Sequence, residues 1–149
     1  MCYALILSTT SDEDLSLMNT DMIRFGQPVA DRYPMNALSY PNKWYVGSRT
    51  ECSCSFRHIV EPEQDFGIPE EWFPEEASNI EATLTLIGLV RSLIAKGEHV
   101  DCVDYWEGDI DKHQFPVSIT VDLSRIRDEE FRLFENHHFD FVRGQETRV

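Results

Sequence analysis

Cys52 and Cys54 stand two residues apart in the stretch ECSCSFRH, residues 51–58, and Phe56 and His58 continue the same spacing. Thiolate and imidazole are the preferred ligands of zinc, and four such donors arranged tetrahedrally make a structural site. Cys52, Cys54 and His58 supply three, and Cys102, on another predicted strand, is the candidate fourth. Zinc is the metal that this donor set would suit. The spacing is not that of the paired C-x-x-C knuckles that mark most zinc folds.

The same residues admit a second reading. In an extended strand alternate side chains share a face. Cys52, Cys54, Phe56 and His58 then point one way, and Ser53, Ser55, Arg57 and Ile59 the other. Unmodified cysteine behaves as a small hydrophobe and is among the most buried residue types. The default expectation is core sulfur beneath a helix, with His58 at the rim. A third reading makes Cys54, Cys52 or Cys2 a thiolate nucleophile with His58 as its base. Loss of Met1 would also expose Cys2 as an N-terminal nucleophile with its own amine as base. A disulfide across one residue of a strand is geometrically strained, so a two-cysteine redox pair is a weaker reading than the metal site.

A second polar cluster is DCVDYWEGDIDKH, residues 101–113. Asp101, Asp104, Glu107, Asp109 and Asp111 crowd a strand end and loop. Packed carboxylates raise one another's pKa or take a hard cation, although the spacing is not that of an EF-hand. The plain alternative is a solvated acidic loop. Alternation puts Cys102, Asp104 and Trp106 on one face, which makes Asp104 and Trp106 candidates for lining a small-ligand pocket. His137 and His138 are neighbours, so on a strand they face opposite sides and cannot chelate together; one is expected exposed and the other half-buried. His99 and His113 have no evident partner. No phosphate loop, nucleophile elbow or zincin helix is present.

These residues need elements to position them. CYALILS, residues 2–8, is short and apolar and reads as a buried strand. A short helix capped by Ser11 and a strand at DMIRF follow, then an irregular loop over 27–42 with three prolines. KWYVG and CSCSFRHI read as a β-hairpin joined by SRTE. The segment 60–77 is acidic and punctuated by proline, and no Lys or Arg occurs between His58 and Arg91. The clearest element is a helix over about 79–96. Ser78 and Glu81 form a capping box, Ile80, Leu84, Ile87, Val90 and Ile94 make its apolar stripe, and Lys96 and Gly97 close it. HVDCVDYW, PVSITVDL and HHFDFV read as further strands, with a short helix at SRIRDEEFRLFEN between the last two. The expected fold is α+β: a mixed or largely antiparallel sheet of about five to six strands with one long helix on one face.

At 149 residues the chain fits a single domain, 1–149, able to bury a core without staples. Thirteen Lys+Arg against 27 Asp+Glu leave a formal net charge of -14. That field repels phosphate backbones and anionic lipid, so neither nucleic acid nor membrane is an expected partner. The start MCYALILSTTS lacks a basic n-region, which points to the cytoplasm, where cysteines stay reduced.

MCYALILST, PNKWYVGS, CSCSFRH, NIEATLTLI and VDCVDYWEG together resemble a family of uncharacterised bacterial proteins of about this length. The likeness spans nearly the whole chain and implies one complete domain. It implies no activity, cofactor or catalytic residue. The functional expectation is therefore a metal- or small-ligand-binding module built on the CxC strand and the 101–109 segment. The alternatives are a cysteine-dependent enzyme, or an adaptor whose acidic 61–81 segment docks a basic partner.

Overall fold

A computed structural model describes residues 3–28, 33–49, 52–59, 66–69, 74–106 and 116–144. Its strands are β1 (Tyr3–Thr9), β2 (Ile23–Gly26), β3 (Asn42–Ser48), β4 (His58–Ile59), β5 (Val100–Trp106), β6 (Val117–Asp122), β7 (Leu133–Phe134) and β8 (His137–Val142). One α-helix, α1, spans Ala77–Ala95. Six strands form a mixed sheet in the order β2-β3-β1-β5-β8-β6, with every pair antiparallel except β6 and β8. β4 and β7 pair in parallel as a two-stranded ribbon beside it. The expected α+β architecture, with one helix on one face of the sheet, is what the chain adopts.

Period-two alternation decides which side chains meet the helix. Leu5 and Leu7 of β1, Val46 of β3, Val100 and Cys102 of β5, and Phe139 and Phe141 of β8 form one core with α1. Ala4, Ile6, Val103 and Tyr105 point to the opposite face, under Leu38 and Met35. α1 is long and apolar enough to cross a membrane by length and composition, but its buried side is the lid of this core. Each fully buried Leu or Ile contributes about 1.5–3 kcal/mol. Truncating Leu86, 1 % exposed at the centre of that lid, to alanine would cost about 2–5 kcal/mol.

The helix differs in detail from its expectation. Glu76 is the N-cap, without a side-chain cap bond, so Ser78 lies inside the first turn, where its Oγ accepts a hydrogen bond from Arg49. Glu75, gripped by Arg57, fixes the chain just before the helix and starts it early. The buried stripe is Ala82, Thr83, Leu86, Ile87, Val90, Leu93 and Ile94, while Ile80 and Leu84 are half-buried. Its C-terminus is as expected: Gly97 at φ 90° turns the chain, Glu98 N–H donates to Leu93 O and Gly97 N–H to Ile94 O.

Two expected elements are replaced. Residues 52–57 are turns and bends, not the second strand of a hairpin. Ser53, 0 % exposed, is the residue that points in, while Cys52 and Cys54 are half-buried. The reason is hydrogen bonding: Ser53 Oγ accepts from Leu5 N–H at 2.9 Å and donates to Val46 O at 2.6 Å. Arg57, expected outward, is buried at 3 % exposure. The short helix expected at 124–136 is a 3-10 turn at Asp128–Glu130 followed by β7. The Glu129 and Phe131 carbonyls accept from Arg57 Nη1 at 2.8 and 3.0 Å, so a guanidinium takes up acceptors that a helix would have used.

Candidate functional site

Strand β5 carries two aspartates three residues apart, and a three-residue step on a strand reverses the face. Asp101 and Asp104 are both 0 % exposed, each with a histidine at 2.8 Å on its own side of the sheet. A buried carboxylate is tolerated only where hydrogen bonds and opposite charge replace water. The two sites are built differently.

On the helix side, His58 Nδ1 lies 2.8 Å from Asp104 Oδ2 and Nε2 lies 2.5 Å from Ser53 O. A carbonyl only accepts, so Nε2 carries a proton, and a second proton lies between Nδ1 and the Asp104 carboxyl group. Burial alone would lower the His58 pKa, but the Asp104 charge and the hydrogen bonds to Asp104 and Ser53 more than offset it, and the pKa is raised. Burial raises the Asp104 carboxyl despite the opposing pull of His58, and Asp104 Oδ1 has no hydrogen-bond partner among the described residues. Tyr3 stacks on the His58 ring and donates its hydroxyl to Glu135 Oε1 at 3.0 Å; burial, then that bond, raise its pKa. Trp106 meets Tyr3 edge-on. Cys54 Sγ accepts from Tyr3 N–H at 3.3 Å.

The sequence-derived donor set is thus dispersed in its roles. Cys102, 1 % exposed, sits in the core under α1, and burial pushes its thiol well up. His58 has both nitrogens engaged, which leaves it neither a lone pair for zinc nor one for a thiol proton. Among the described residues no three His, Cys, Asp or Glu side chains converge as metal ligands. Asp104 and Trp106 do share one face with Cys102, and they meet His58 and Tyr3 there. Cys2, Glu107, Asp109, Asp111 and His113 lie outside the described residues, as do residues 61–65 and 70–73 of the acidic 61–81 segment.

The opposite face holds a different arrangement. Register places Lys43, Ser8, Asp101, Asp140 and Thr120 in one row across five strands, with Tyr45, Ile6, Val103, His138 and Ser118 in the next. Asp101 accepts from the Ser8 hydroxyl through Oδ1 and from Ser39 N–H through Oδ2 at 2.9 Å. His138 Nε2 lies 2.8 Å from the same Oδ2, and Ser118 Oγ lies 2.7 Å from His138 Nδ1. The carboxylate must accept, so Nε2 carries the proton and Nδ1 offers its lone pair to the Ser118 hydroxyl. Ser118 is exposed, His138 is 8 % exposed and Asp101 is fully buried. Polar groups therefore run from solvent into the sheet through one imidazole. Asp140 is half-buried beside it, its carboxyl raised by burial and then by Asp101.

The strand pattern explains the access. Val117 N–H donates to Asn136 O and Leu123 N–H to Val142 O, so the odd residues of β6 face β8. The N–H groups of Ser118 and Thr120 consequently face away from the sheet, because β6 is an edge strand. Helix α1 does not cover this side; a 3-10 turn at Tyr33–Ala37 and the residues after it lie over β1 and β5, reaching Asp101 and Ser8 through the Ser39 and Tyr40 amides.

His137 and His138 face opposite sides as expected, but both are buried, at 9 % and 8 %, and neither is the exposed one expected: His137 Nδ1 is held by Glu135 O and His138 lies between Ser118 and Asp101. His99 stacks on Tyr40, with ring centroids 5.6 Å apart. Ser118 and Ser8 carry no sequence signal of their own. The available signal was the face reversal between Asp101 and Asp104, which assigns the first to the side that His138 also shares. The chain matches no protein-family model, no curated protein and no solved structure.

Proposed function

We propose that the face of the sheet away from α1 is the working face, and that the chain is a serine hydrolase acting on small acyl esters. The observation that carries this reading is the chain of contacts Ser118–His138–Asp101, at 2.7 and 2.8 Å. A nucleophile within hydrogen-bond reach of a base, itself oriented by a buried acid, is the general signature of an activated hydroxyl.

The chemistry follows from the protonation states. As Ser118 Oγ attacks the acyl carbon, its proton passes to His138 Nδ1. The resulting imidazolium is stabilised by Asp101, whose other acceptor positions are held by Ser8 and Ser39. The imidazolium then protonates the departing alkoxide, leaving an acyl-serine. Water, deprotonated by the same nitrogen, releases the acid and restores the hydroxyl. The outward Ser118 N–H at the free edge of β6 is the donor suited to the oxyanion. The net charge of -14 argues against nucleic-acid and membrane partners, and we place the protein in the cytoplasm.

A fluorophosphonate probe with mass mapping tests the reading. Stoichiometric labelling at Ser118, abolished in Ser118→Ala and strongly slowed in His138→Ala, supports it. An unlabelled native protein, or equal labelling of Ser118→Ala, overturns it.

A further inference from the structure

Asp140 of β8 stands directly opposite Asp101 of β5 on one side and Thr120 of β6 on the other. Like charges facing one another across a sheet destabilise it. Asp101 is compensated, because Ser8, Ser39 and His138 all direct protons at its carboxylate. Asp140 has no such relief. Its carboxylate is half-buried, and among the described residues no hydrogen bond or ion pair reaches it. Lys43, the cation of the same row, turns its ammonium to Tyr40 O at 2.8 Å instead. Burial, and then Asp101, raise the Asp140 carboxyl against the weaker pull of His138 and His99.

The register also sets this carboxylate's place relative to Ser118. Ser118 pairs with His138, and Asp140 lies two residues further along β8 on the same face. Strands lie about 4.8 Å apart and two residues advance about 6.6 Å, so the two Cα atoms are about 8 Å apart. A short linker between an ester group at Ser118 and a cation at Asp140 covers that span. Ser118 and Thr120 are both exposed, so the span runs along an accessible edge strand. Tyr40 borders the same carboxylate. Burial, then the Asp140 charge, raise its phenol, which stays neutral and stacks on His99.

We infer that Asp140 is a specificity residue, and that the esters cleaved at Ser118 carry an organic ammonium group which it binds. The ester half of this inference rests on the hydrolase reading above; the cation half rests on the register and on the unpaired carboxylate. A bound ammonium neutralises the charge that faces Asp101, which an uncharged ester of the same shape would leave in place. A hard metal ion is the poorer occupant, because among the described residues no three ligands converge. An alkylammonium needs only one carboxylate, and a neutral aromatic neighbour such as Tyr40 suits it. The net charge of -14 also draws cations to this surface.

The test compares acetylthiocholine with its uncharged carbon isostere, in which a tert-butyl group replaces the trimethylammonium group. In the wild type kcat/KM for the charged thioester should be higher by about tenfold or more, and the excess should shrink as salt rises. Asp140→Asn should bring the two substrates to within about twofold of each other, while Asp140→Glu keeps their order. Urea midpoints check that both variants are folded. Equal constants in the wild type, or a preference that survives in Asp140→Asn, overturn the inference and leave hydrolysis standing. If neither thioester is cleaved, the hydrolase reading falls and the cation is tested alone. Choline chloride, titrated into isotope-labelled protein, should then shift the backbone amide signals of Tyr40 and Asp140 in the wild type and not in Asp140→Asn. A wild type without those shifts overturns the inference by that route.

Discussion

The imidazole of His58 lies face to face with the phenol of Tyr3, ring centroids 3.9 Å apart and planes 5° from parallel. Its edges are occupied as well, by Asp104 on one nitrogen and Ser53 O on the other. The ring therefore joins the turn at 52–55 to strands β1 and β5, and its proton inventory becomes part of the stability of that junction.

The sign of the pH effect follows. His58 has a pKa raised above its ordinary 6.5, so its contribution is complete below that value and is lost as pH rises through the folded pKa. Asp104 is raised above 3.8, so its ionisation costs stability as pH rises, which is the same sign. Urea midpoints from about pH 5.5 to about pH 9 should show the wild type losing its advantage over His58→Gln/Asp104→Asn as pH increases. An advantage that grows with pH would contradict the assignment.

Much of this architecture was legible in the sequence, and the misreadings have physical causes. β1 announces itself as a short continuous apolar run, because both its faces are buried, and α1 by its periodicity, because one stripe of it is buried against the core. Residues 52–57 alternate as a strand does yet do not form one. There the backbone is paid for by side chains, Ser48 and Ser53, whose hydrogen bonds no apolar pattern records. The candidate site suffered for the same reason: reading Cys52, Cys54 and His58 as one face presumed extended backbone. The relay on the other face needed three elements to be brought into register, β5, β8 and the edge strand β6. An isolated Ser118 or His138 carries no trace of that.

Arg57 offers a sharp energetic test. All of its guanidinium N–H groups find acceptors: Glu75 through Nε and Nη2, at 2.6 and 2.8 Å, Gly67 O, Glu129 O and Phe131 O. It ties three loops to β4, and its own N–H donates to Thr83 of α1. Arg57→Ala should lower the unfolding free energy by about 3–5 kcal/mol in urea titration, since Glu75 and three carbonyls lose their partner. Arg57→Lys should recover little, because a single ammonium cannot span the fork. A loss below about 1 kcal/mol would show the network to be incidental.

Gly97 separates backbone strain from packing. At φ 90°, with nothing within 4 Å of a built Cβ, alanine meets no steric clash there. Gly97→Ala should nevertheless cost about 1 kcal/mol in thermal or urea unfolding through conformation alone. A neutral or stabilising result would mean that the closing turn of α1 relaxes to negative φ.

Thiol accessibility divides the cysteines. Cys52 and Cys54 are half-buried, while Cys102 is 1 % exposed with its thiol pushed well up by burial. Under native conditions iodoacetamide should label the peptide 50–57 at least tenfold faster than Cys102, whose labelling should track the urea unfolding curve. Comparable native rates at Cys102 would place it outside the core.

Asp101→Asn tests the relay without altering its shape. The carboxylate accepts from Ser8, Ser39 and His138, and an asparagine carbonyl can keep only part of that set. If its amide N–H turns toward His138 Nε2, that nitrogen must accept and the ring proton moves to Nδ1. Nδ1 then has no lone pair for the Ser118 hydroxyl, 2.7 Å away. Fluorophosphonate labelling of Ser118 should fall by about 10³–10⁴-fold, the loss that such a tautomer change brings to an acyl-transfer relay. The urea midpoint, measured in parallel, separates this from simple unfolding, because a folded Asp101→Asn protein with undiminished labelling would leave Asp101 a structural acid only.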